Sequence, residues 1–188
     1  MLRPTYPIDT ARLRLRPYTP DDLDALHTIQ SRSDVMRYLY GEPRSREEVR
    51  DALASRARRP TLEQEGDWLF LAIEQRDSGV VIGDVSLHWL SAEHRQGEIG
   101  FVLHPDHHDQ GYGREAATEI LRLGFEELGL HRIIGRCDAR NDASARLMER
   151  LGMRREAHFR QNEVFKGAWG DEYVYAMLAA EWEAHDRR

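Results

Sequence analysis

Residues 101–117 (FVLHPDHHDQGYGREAA) constrain the fold most, because they join an apolar strand to a helix through a loop that contains two glycines. Gly111 and Gly113 let the backbone adopt positive φ and approach a ligand closely. The helix presents unpaired N–H groups and the positive end of its dipole to this loop. Such a loop binds phosphate or pyrophosphate. A tight strand-to-helix turn without a ligand is the alternative interpretation.

Two other nucleotide-binding motifs with glycine-rich loops do not fit these residues. The P-loop pattern G-x-x-x-x-G-K-[ST] is absent from the sequence. A dinucleotide fingerprint would place its third glycine at Ala116, and the loop follows several closely spaced strand segments instead of opening a βαβ unit. The sequence therefore argues against a P-loop NTPase and against an NAD-binding domain.

Length, charge and cysteine content narrow the class of protein. The 188 residues fit a single domain spanning 1–188, and 40% hydrophobic residues are enough for a core. A net charge of −6 argues against nonspecific nucleic-acid binding. The only cysteine, Cys137, fits a reducing compartment, and its apolar flanks favour a core thiol over a nucleophile. No signal peptide or membrane-spanning run is visible, so we expect a cytoplasmic protein without membrane contacts.

The hydrophobic periodicity predicts helices and strands in an interleaved order. Helices are predicted to begin after Thr19, at Ser33 and after Ser45, where Glu48 completes a capping box. A longer helix is expected over 113–128, and a short one that is capped by Asn141 or Asp142 and ends at Gly152. Strands are predicted at 13–16, 68–74, 80–90, 96–104, 132–137, 154–161 and 172–178. The second, third and fourth of these strands (68–74, 80–90 and 96–104) are spaced as an antiparallel meander, so the fold class is mixed α/β, or α+β.

Two segments in the right order resemble the GNAT superfamily of N-acetyltransferases. HHDQGYGREAA resembles the family's Q/R-x-x-G-x-G/A acyl-CoA pyrophosphate loop, and NDASARLMERLGM resembles the N-x-x-S-x-x-L-x-x-x-G-F block that follows it. RLRLRPYTPDDLDAL, SDVMRYLYGEPRS, LHRIIGRCDARN and WGDEYVYAMLAAEW resemble the branch typified by ribosomal-protein-alanine N-acetyltransferases. The resemblance covers nearly the whole chain. It implies a GNAT-type fold, with a twisted, mostly antiparallel central sheet and helices on both faces.

The resemblance implies an enzyme that transfers an acetyl group from acetyl-CoA, its co-substrate, to a primary amine. A protein or peptide N-terminus is the favoured acceptor, because an α-amino group with a pKa of about 7.7–8.0 is partly neutral at pH 7, whereas a lysine-like amine at about 10.4 is mostly protonated. A small-molecule amine (an aminoglycoside, a polyamine or an amino-acid derivative) is one alternative. A non-catalytic acyl-CoA-binding module is another. The resemblance is also compatible with a homodimer.

The resemblance assigns acetyl-CoA to the loop and the strand before it. The backbone of Phe101, Val102 and Leu103 would pair with the pantetheine arm, and Asn141 would contact the same arm. The pyrophosphate would lie against His108, Asp109, Gln110, Gly111, Tyr112, Gly113 and Arg114. His108 stands where the family usually carries Gln or Arg, and Asp109 where it often carries glycine. These departures bear on the affinity for the ligand more than on its identity.

Two residues are candidates for the proton transfers of acetyl transfer. Glu98 lies on the strand that enters the loop and is the candidate general base, with an ordinary exposed strand glutamate as the alternative. Ser144 is the candidate acid beside the sulfur, because the resembled branch carries serine there; a purely structural role in its helix is the alternative. Met148 replaces a tyrosine to which many members assign that acid role. Tyr38, Asp84, His88 and Trp89 are candidate acceptor-binding residues.

The histidines near the loop raise the question of a metal site. His104, His107 and His108 lie close together in sequence, with Asp106 and Asp109 between them. Neither an H-E-x-x-H motif nor a cysteine-containing zinc pattern is present. We therefore expect surface histidines on a loop, and no metal cofactor.

Overall fold

Eight strands form one sheet in the structure, a computed structural model that describes residues 1–58 and 60–186. They are β1 (Ile8–Asp9), β2 (Leu13–Arg16), β3 (Trp68–Gln75), β4 (Val81–Ser91), β5 (Gln96–Leu103), β6 (Arg132–Asp138), β7 (Arg154–Phe165) and β8 (Ala168–Leu178). Their order across the sheet is β1-β2-β3-β4-β5-β6-β8-β7. Neighbouring strands are antiparallel except β5 and β6, which are parallel. The predicted mixed fold with a mostly antiparallel sheet is confirmed.

Six α-helices accompany this sheet within residues 1–58 and 60–186. They are α1 (Leu23–Gln30), α2 (Ser33–Met36), α3 (Arg46–Ala57), α4 (Tyr112–Arg122), α5 (Asp142–Arg150) and α6 (Ala179–Asp186). None of these helices is long and apolar enough to span a membrane. The predicted capping box at α3 is present: the Glu48 N–H donates to Ser45 Oγ at 3.3 Å, and the Ser45 N–H donates to Glu48 Oε2 at 2.7 Å.

The sheet has a hydrophobic core on each face, as its alternating strands require. The larger core packs α4 and α5 against one face through residues such as Ile99, Ile120 and Ile133. The smaller core packs α1 and α3 against the other face through Leu26, Leu53 and Ala72, among others. Residues 96, 98 and 100 of β5 therefore point away from α4, because successive side chains alternate between the two faces.

The long helix and the tail differ from the sequence-based expectation. The helix predicted over 113–128 is α4 followed by a π-helical turn, Leu123–Glu127, in which the Leu128 N–H donates to the Leu123 carbonyl at 2.9 Å. The tail strands are longer than predicted and form the hairpin β7–β8. Its turn contains Lys166 and Gly167 with φ of 48° and 79°, as a type I′ turn requires.

The connection from β5 through α4 to β6 positions the functional site. Parallel neighbours need a crossover, and α4 supplies it on one face of the sheet. In this arrangement the start of α4 lies beside the C-terminal end of β5, and the start of α5 follows the C-terminal end of β6. Both helix N-termini therefore lie at the same edge of the parallel pair.

Candidate active site

The two parallel strands pair along only part of their length. The β5–β6 register runs from Gln96↔Arg132 to Ile99↔Gly135, although β5 continues to Leu103 and β6 to Asp138. Beyond that point residues 100–103 remain paired with β4, and residues 136–138 with β8. The sheet therefore opens between the C-terminal halves of β5 and β6, where two strand edges face a gap that a ligand with amide groups can fill.

The glycine-rich loop ends at the mouth of this opening. Gly111 has φ of 82° and precedes the first residue of α4. A Cβ at Gly113 would lie 3.1 Å from Leu147 Cδ2 and 3.2 Å from Leu103 Cδ1, so the first turn of α4 sits tightly between β5 and α5. This packing fixes the position of the N–H groups in the first turn, which have no partner within the helix. Such N–H groups can bind an anion, which is the role that the sequence predicts for this loop.

The histidine side chains of the loop contact the loop itself and the ends of its two flanking elements. His108 Nε2 lies 3.1 Å from the carbonyl oxygen of Leu103, at the end of β5. His107 makes edge contacts with the rings of His104 and Tyr112, at centroid distances of 6.1 and 6.3 Å. Within the described part of the chain, no three His, Cys, Asp or Glu side chains are arranged to hold a metal ion. Asp109 is exposed, with φ of 58°, a conformation that aspartate tolerates better than most residues.

The start of α5 forms the other side of the opening. Asn141 caps this helix by accepting a hydrogen bond from the Ser144 N–H at 3.2 Å, and its Nδ2 group takes no part in that bond. Ser144 lies in the first turn of α5, half-buried near Cys137 on β6. Burial raises the pKa of the Cys137 thiol to about 12, aided by Asp138 and opposed by a hydrogen bond from Ser144. Cys137 is thus a neutral core thiol, as expected.

Met148 does not reach the site as a proton donor. It is 1% exposed, and its Sδ would lie 2.6 Å from a Cβ on Gly135. The thioether therefore fills the space above Gly135, the last residue of β6 that pairs with β5. A thioether has no acidic proton, so an acid for the departing thiolate has to come from another residue.

Glu98 lies on the face of the sheet opposite α4, near the end of the part of β5 that pairs with β6. Its neighbours in register are His88 on β4 and Ile134 on β6. Burial raises the pKa of Glu98 above its ordinary value; the positive charge of Arg136 opposes this rise, and the negative charge of Glu172 adds to it. A half-buried carboxylate with a raised pKa is a better proton acceptor than a solvated one, which suits a general base.

The Arg136–Glu172 ion pair beside Glu98 was not predicted from the sequence. Arg136 Nε and Nη2 donate to the two carboxylate oxygens of Glu172 at 2.9 and 3.0 Å. Asn162 Nδ2 also donates to Glu172 at 3.1 Å, which ties hairpin β7–β8 to the pair. Glu172 is 8% exposed. The only sequence signal was a charged residue at alternate positions of a strand, and that pattern is equally typical of a solvated face.

The four candidate acceptor-binding residues fall in different environments. His88 is in register with Glu98 and stacks on Trp68 at a centroid distance of 4.1 Å, beside a cavity of about 270 Å³ lined by Ser55, Arg56, Trp68 and Phe70. Tyr38 is half-buried near Arg140, whose pKa is raised mainly by its hydrogen bond to Asp138. Of these two residues, His88 is the one that the sheet register places beside Glu98.

Asp84 and Trp89 are held in other ways. Asp84 is 4% exposed and accepts hydrogen bonds from Arg56 at 2.7 Å and from the Tyr18 hydroxyl at 3.1 Å. Trp89 follows His88 in β4, so its side chain points to the opposite face, where it packs against the larger core. The structure thus places His88 beside Glu98 and Trp89 on the far side of the sheet.

Comparison with known proteins agrees with this geometry. The family model described as acetyltransferase (GNAT) domain matches residues 12–154, which is more than half of the chain. The chain belongs to the GNAT acetyltransferase family. The GNAT resemblance read from the sequence, the fold and the enzyme class are therefore confirmed: this is an N-acetyltransferase, and enzymes of this family use acetyl-CoA.

Individual GNAT relatives match over most of their length. The uncharacterized N-acetyltransferase YnaD of Bacillus subtilis is 36% identical over 93% of this chain and 98% of its own. The crystal structure of a GNAT-family acetyltransferase from Bacillus anthracis has a TM-score of 0.83 and 33% identity, covering 92% of this chain and 98% of that one.

Two more distant GNAT relatives carry names that specify an acceptor. YdaF of Bacillus subtilis, provisionally named a ribosomal N-acetyltransferase, is 30% identical over 56% of this chain and 57% of its own. A spermidine N(1)-acetyltransferase of Vibrio cholerae is 24% identical over 86% of this chain and 90% of its own. Family membership therefore leaves the acceptor open between a protein amine and a small-molecule amine.

We predict that Glu98→Gln stabilises the free enzyme at neutral pH. The pKa of Glu98 is raised in the folded state, so the fold binds its proton more tightly than the unfolded chain does. That contribution to stability is present below the ordinary pKa and is lost as the pH rises through the folded value. Glutamine does not ionise and avoids the loss.

Thermal unfolding of wild type and Glu98→Gln at pH 4 and pH 7 tests this prediction. The variant should unfold at a higher temperature than wild type at pH 7, with a smaller difference at pH 4. Glu93→Gln, at an exposed glutamate in the β4–β5 turn, serves as the control and should have a smaller effect at pH 7. A Glu98→Gln variant less stable than wild type at pH 7 would contradict the account of this carboxylate.

Proposed function

We propose that this enzyme binds acetyl-CoA in the opening between β5 and β6 and acetylates the N-terminal α-amine of a protein or peptide. The parting of the two strands beside the N-terminus of α4 is the observation that carries the proposal. It joins an unpaired strand edge, suited to a chain with amide groups, to a helix start that suits a pyrophosphate. Acetyl-CoA carries amide groups along its pantetheine arm and a pyrophosphate at the end of that arm.

In this proposal, the pantetheine arm pairs with the backbone of Phe101, Val102 and Leu103 and is contacted by Asn141. The amides of residues 110–114 hold the pyrophosphate, and the αL conformation of Gly111 turns the chain into α4. Support comes from the tight packing of Gly113, which leaves the helix start no room to shift. His108 contributes by holding the end of β5, whereas the negative charge of Asp109 does not favour a nearby phosphate.

Acetyl transfer then needs two proton movements. The neutral amine attacks the thioester carbonyl carbon, and the attacking nitrogen loses a proton to Glu98, directly or through one water molecule. The carbonyl oxygen carries a negative charge in the tetrahedral intermediate, and a backbone N–H at the strand opening stabilises that charge. When the carbon–sulfur bond breaks, the Ser144 hydroxyl passes a proton to the leaving thiolate while a water molecule returns a proton to the serine oxygen. The products are the acetylated amine and free CoA.

The two proton-transfer groups have unequal tasks. An α-ammonium group has a pKa of about 7.7–8.0, so a larger share of an N-terminal amine than of a lysine-like amine is already neutral and able to attack. Glu98 then needs to accept only the proton that the nitrogen loses after the attack. A thiolate with a pKa of about 8.5 leaves readily, and the assistance of Ser144 is therefore a smaller contribution. This comparison favours an N-terminal acceptor. The distant relative that is named a ribosomal N-acetyltransferase is in line with it.

We predict that Gly111→Val abolishes acetyl-CoA binding. Valine at φ of 82° is strained, and its Cβ would lie 3.3 Å from Arg12 Nη2, so the loop would have to move. Acetyl-CoA at 100 times its Kd should stabilise wild type by about 2.7 kcal/mol, or roughly 5–11 °C in thermal unfolding. The variant should show no such shift.

Gly79→Val is the matched control, because Gly79 also has positive φ but lies in the β3–β4 turn, with nothing within 4 Å of its Cβ position. This variant carries a similar backbone strain and should keep the acetyl-CoA shift. A folded wild type without a shift at millimolar acetyl-CoA would contradict the proposed enzyme and favour a protein that does not bind the co-substrate.

We predict that Glu98→Gln lowers kcat by about 10²–10⁴-fold, the usual contribution of a general base, with little change in the affinity for acetyl-CoA. Ser144→Ala should lower kcat by about tenfold, because the thiolate needs less help. Release of CoA, followed with a thiol reagent, measures both effects. Ser91→Ala, at the end of β4 that pairs with Gln96 and away from the glycine-rich loop, is the control. Wild-type kcat in both variants would remove these two residues from the mechanism.

The same assay discriminates among acceptors. A peptide with a free alanine N-terminus should be acetylated faster than the same peptide with a blocked N-terminus and an internal lysine. Spermidine in parallel represents the small-molecule alternative. A preference for spermidine would overturn the proposed acceptor and leave the acetyl-CoA site intact, whereas turnover of none of the amines despite acetyl-CoA binding would favour the non-catalytic alternative.

A further inference from the structure

Arg12, in the turn between β1 and β2, reaches across to the glycine-rich loop. Its Nη1 donates a hydrogen bond to the carbonyl oxygen of Gln110 at 2.9 Å. Its guanidinium carbon lies 4.5 Å from the centroid of the Tyr112 ring, and its Nη2 lies 3.3 Å from the Cβ position of Gly111. Gln110 and Tyr112, which flank Gly111, therefore both contact one arginine that lies about a hundred positions earlier in the chain.

The side chain of Glu115 holds Arg12 in this place. Its Oε2 accepts from Arg12 Nε at 2.8 Å, while its Oε1 accepts from the Arg12 backbone N–H at 2.8 Å and from Thr10 Oγ1 at 2.6 Å. Burial alone would raise the pKa of Glu115, but the hydrogen bonds from Thr10 and Arg12 lower it, so the carboxylate is ionised at neutral pH. The arginine is thus fixed by both its backbone and its side chain.

The bond from Arg12 to the Gln110 carbonyl has a consequence for the next residue. A trans peptide unit is planar, and its C=O and N–H groups point in opposite directions. When Arg12 holds the oxygen of Gln110, the N–H of Gly111 must point away from Arg12. Glycine would otherwise allow this peptide unit to rotate, because it has no side chain to restrict φ and ψ.

We propose that Arg12 is a positioning residue for acetyl-CoA, which orients the Gln110–Gly111 peptide so that the N–H groups at the start of α4 face the pyrophosphate. This inference rests on the proposed acetyl-CoA site. Its specific content is that Arg12 acts through the loop backbone and on the pyrophosphate end of the co-substrate, and that the thioester end does not depend on it.

The restraint on the loop has a second anchor on the other side. Gln75 Nε2 donates to the Tyr112 hydroxyl at 3.0 Å, so the ring under the Arg12 guanidinium is fixed to β3. Loss of Arg12 therefore frees the Gln110–Gly111 peptide without releasing the whole helix. The expected result is weaker binding by a folded protein.

The test compares Arg12→Met with Arg14→Met by calorimetric titration of acetyl-CoA and by steady-state kinetics. Arg14 is a matched control, because it is a partly exposed arginine of the adjacent strand, paired with Asp9 at 2.9 Å. Arg12→Met should raise Kd and KM for acetyl-CoA by about tenfold, as expected for a lost charge-assisted hydrogen bond, with kcat within about threefold of wild type. Arg14→Met should match wild type.

S-acetylpantetheine separates positioning from a general structural effect, because it has the same thioester without the pyrophosphate. Its kcat/KM should be the same in wild type and Arg12→Met. Equal acetyl-CoA affinities in Arg12→Met and Arg14→Met would overturn the inference, and so would an equal loss of activity with both acetyl donors. A wild type that does not bind acetyl-CoA would refute the proposed function first, and the inference with it.

Glu115→Ala provides an independent variant in case Arg12→Met does not fold, which its ligand-free unfolding temperature will show. Removing the carboxylate releases the Arg12 side chain but keeps its positive charge. Positioning through the loop predicts weaker acetyl-CoA binding, again by about tenfold. Unchanged or tighter binding would mean that Arg12 acts as a mobile phosphate contact and would overturn the positioning role.

Discussion

Two parallel strands that stop pairing halfway along their length determine the shape of this enzyme. β5 and β6 share the register from Gln96↔Arg132 to Ile99↔Gly135 and then part. Backbone amides and carbonyls at a buried edge need hydrogen-bond partners, so an opened sheet is stable only if solvent or a ligand supplies them. The crossover helix α4 packs on one face, and its N-terminus ends up where the strands part. The proposed ligand site is thus a consequence of the sheet geometry.

The groups that we propose for binding and proton transfer lie on both faces of the sheet, on either side of the opening. On the α4 and α5 side lie the helix start, Asn141 and Ser144; on the other side lies Glu98 with the Arg136–Glu172 pair. A carboxylate raised in pKa by burial costs the folded protein some stability at neutral pH. An enzyme that keeps such a group is less stable in its folded state than it would be with a neutral residue there, and it gains a stronger proton acceptor. Arg136 limits that cost because its positive charge opposes the effect of burial.

Short-range patterns in the sequence predicted the elements and the loop well. The capping box at Ser45, the two glycines at the start of α4 and the Asn141 cap are local signals, and each is present in the structure. The same is true of the meander and of the mixed fold class. Local signals suffice here because caps and tight turns need particular residue types at fixed spacings.

Contacts between distant segments could not be predicted in this way. The contact between Arg12 and Gln110 joins positions 98 residues apart, and periodicity holds no information about it. Strand register is likewise invisible, so the sequence could not show where β5 and β6 part. It also grouped Asp84 and Trp89 with His88, although one is held by Arg56 and Tyr18 and the other points to the opposite face. Residues 162–171 (NEVFKGAWGD) mix apolar, charged and glycine positions without regular alternation, which concealed the full length of hairpin β7–β8.

Amide hydrogen exchange with and without acetyl-CoA tests most directly whether the parted strands hold the co-substrate. If they do, exchange should slow in residues 100–103 and 110–114 when acetyl-CoA is added, and stay unchanged in the β3–β4 turn at residues 77–79. Backbone groups that gain hydrogen-bond partners become protected, so the pattern reports where the ligand lies. Binding of acetyl-CoA with protection confined to other segments, and none in these two, would contradict the account.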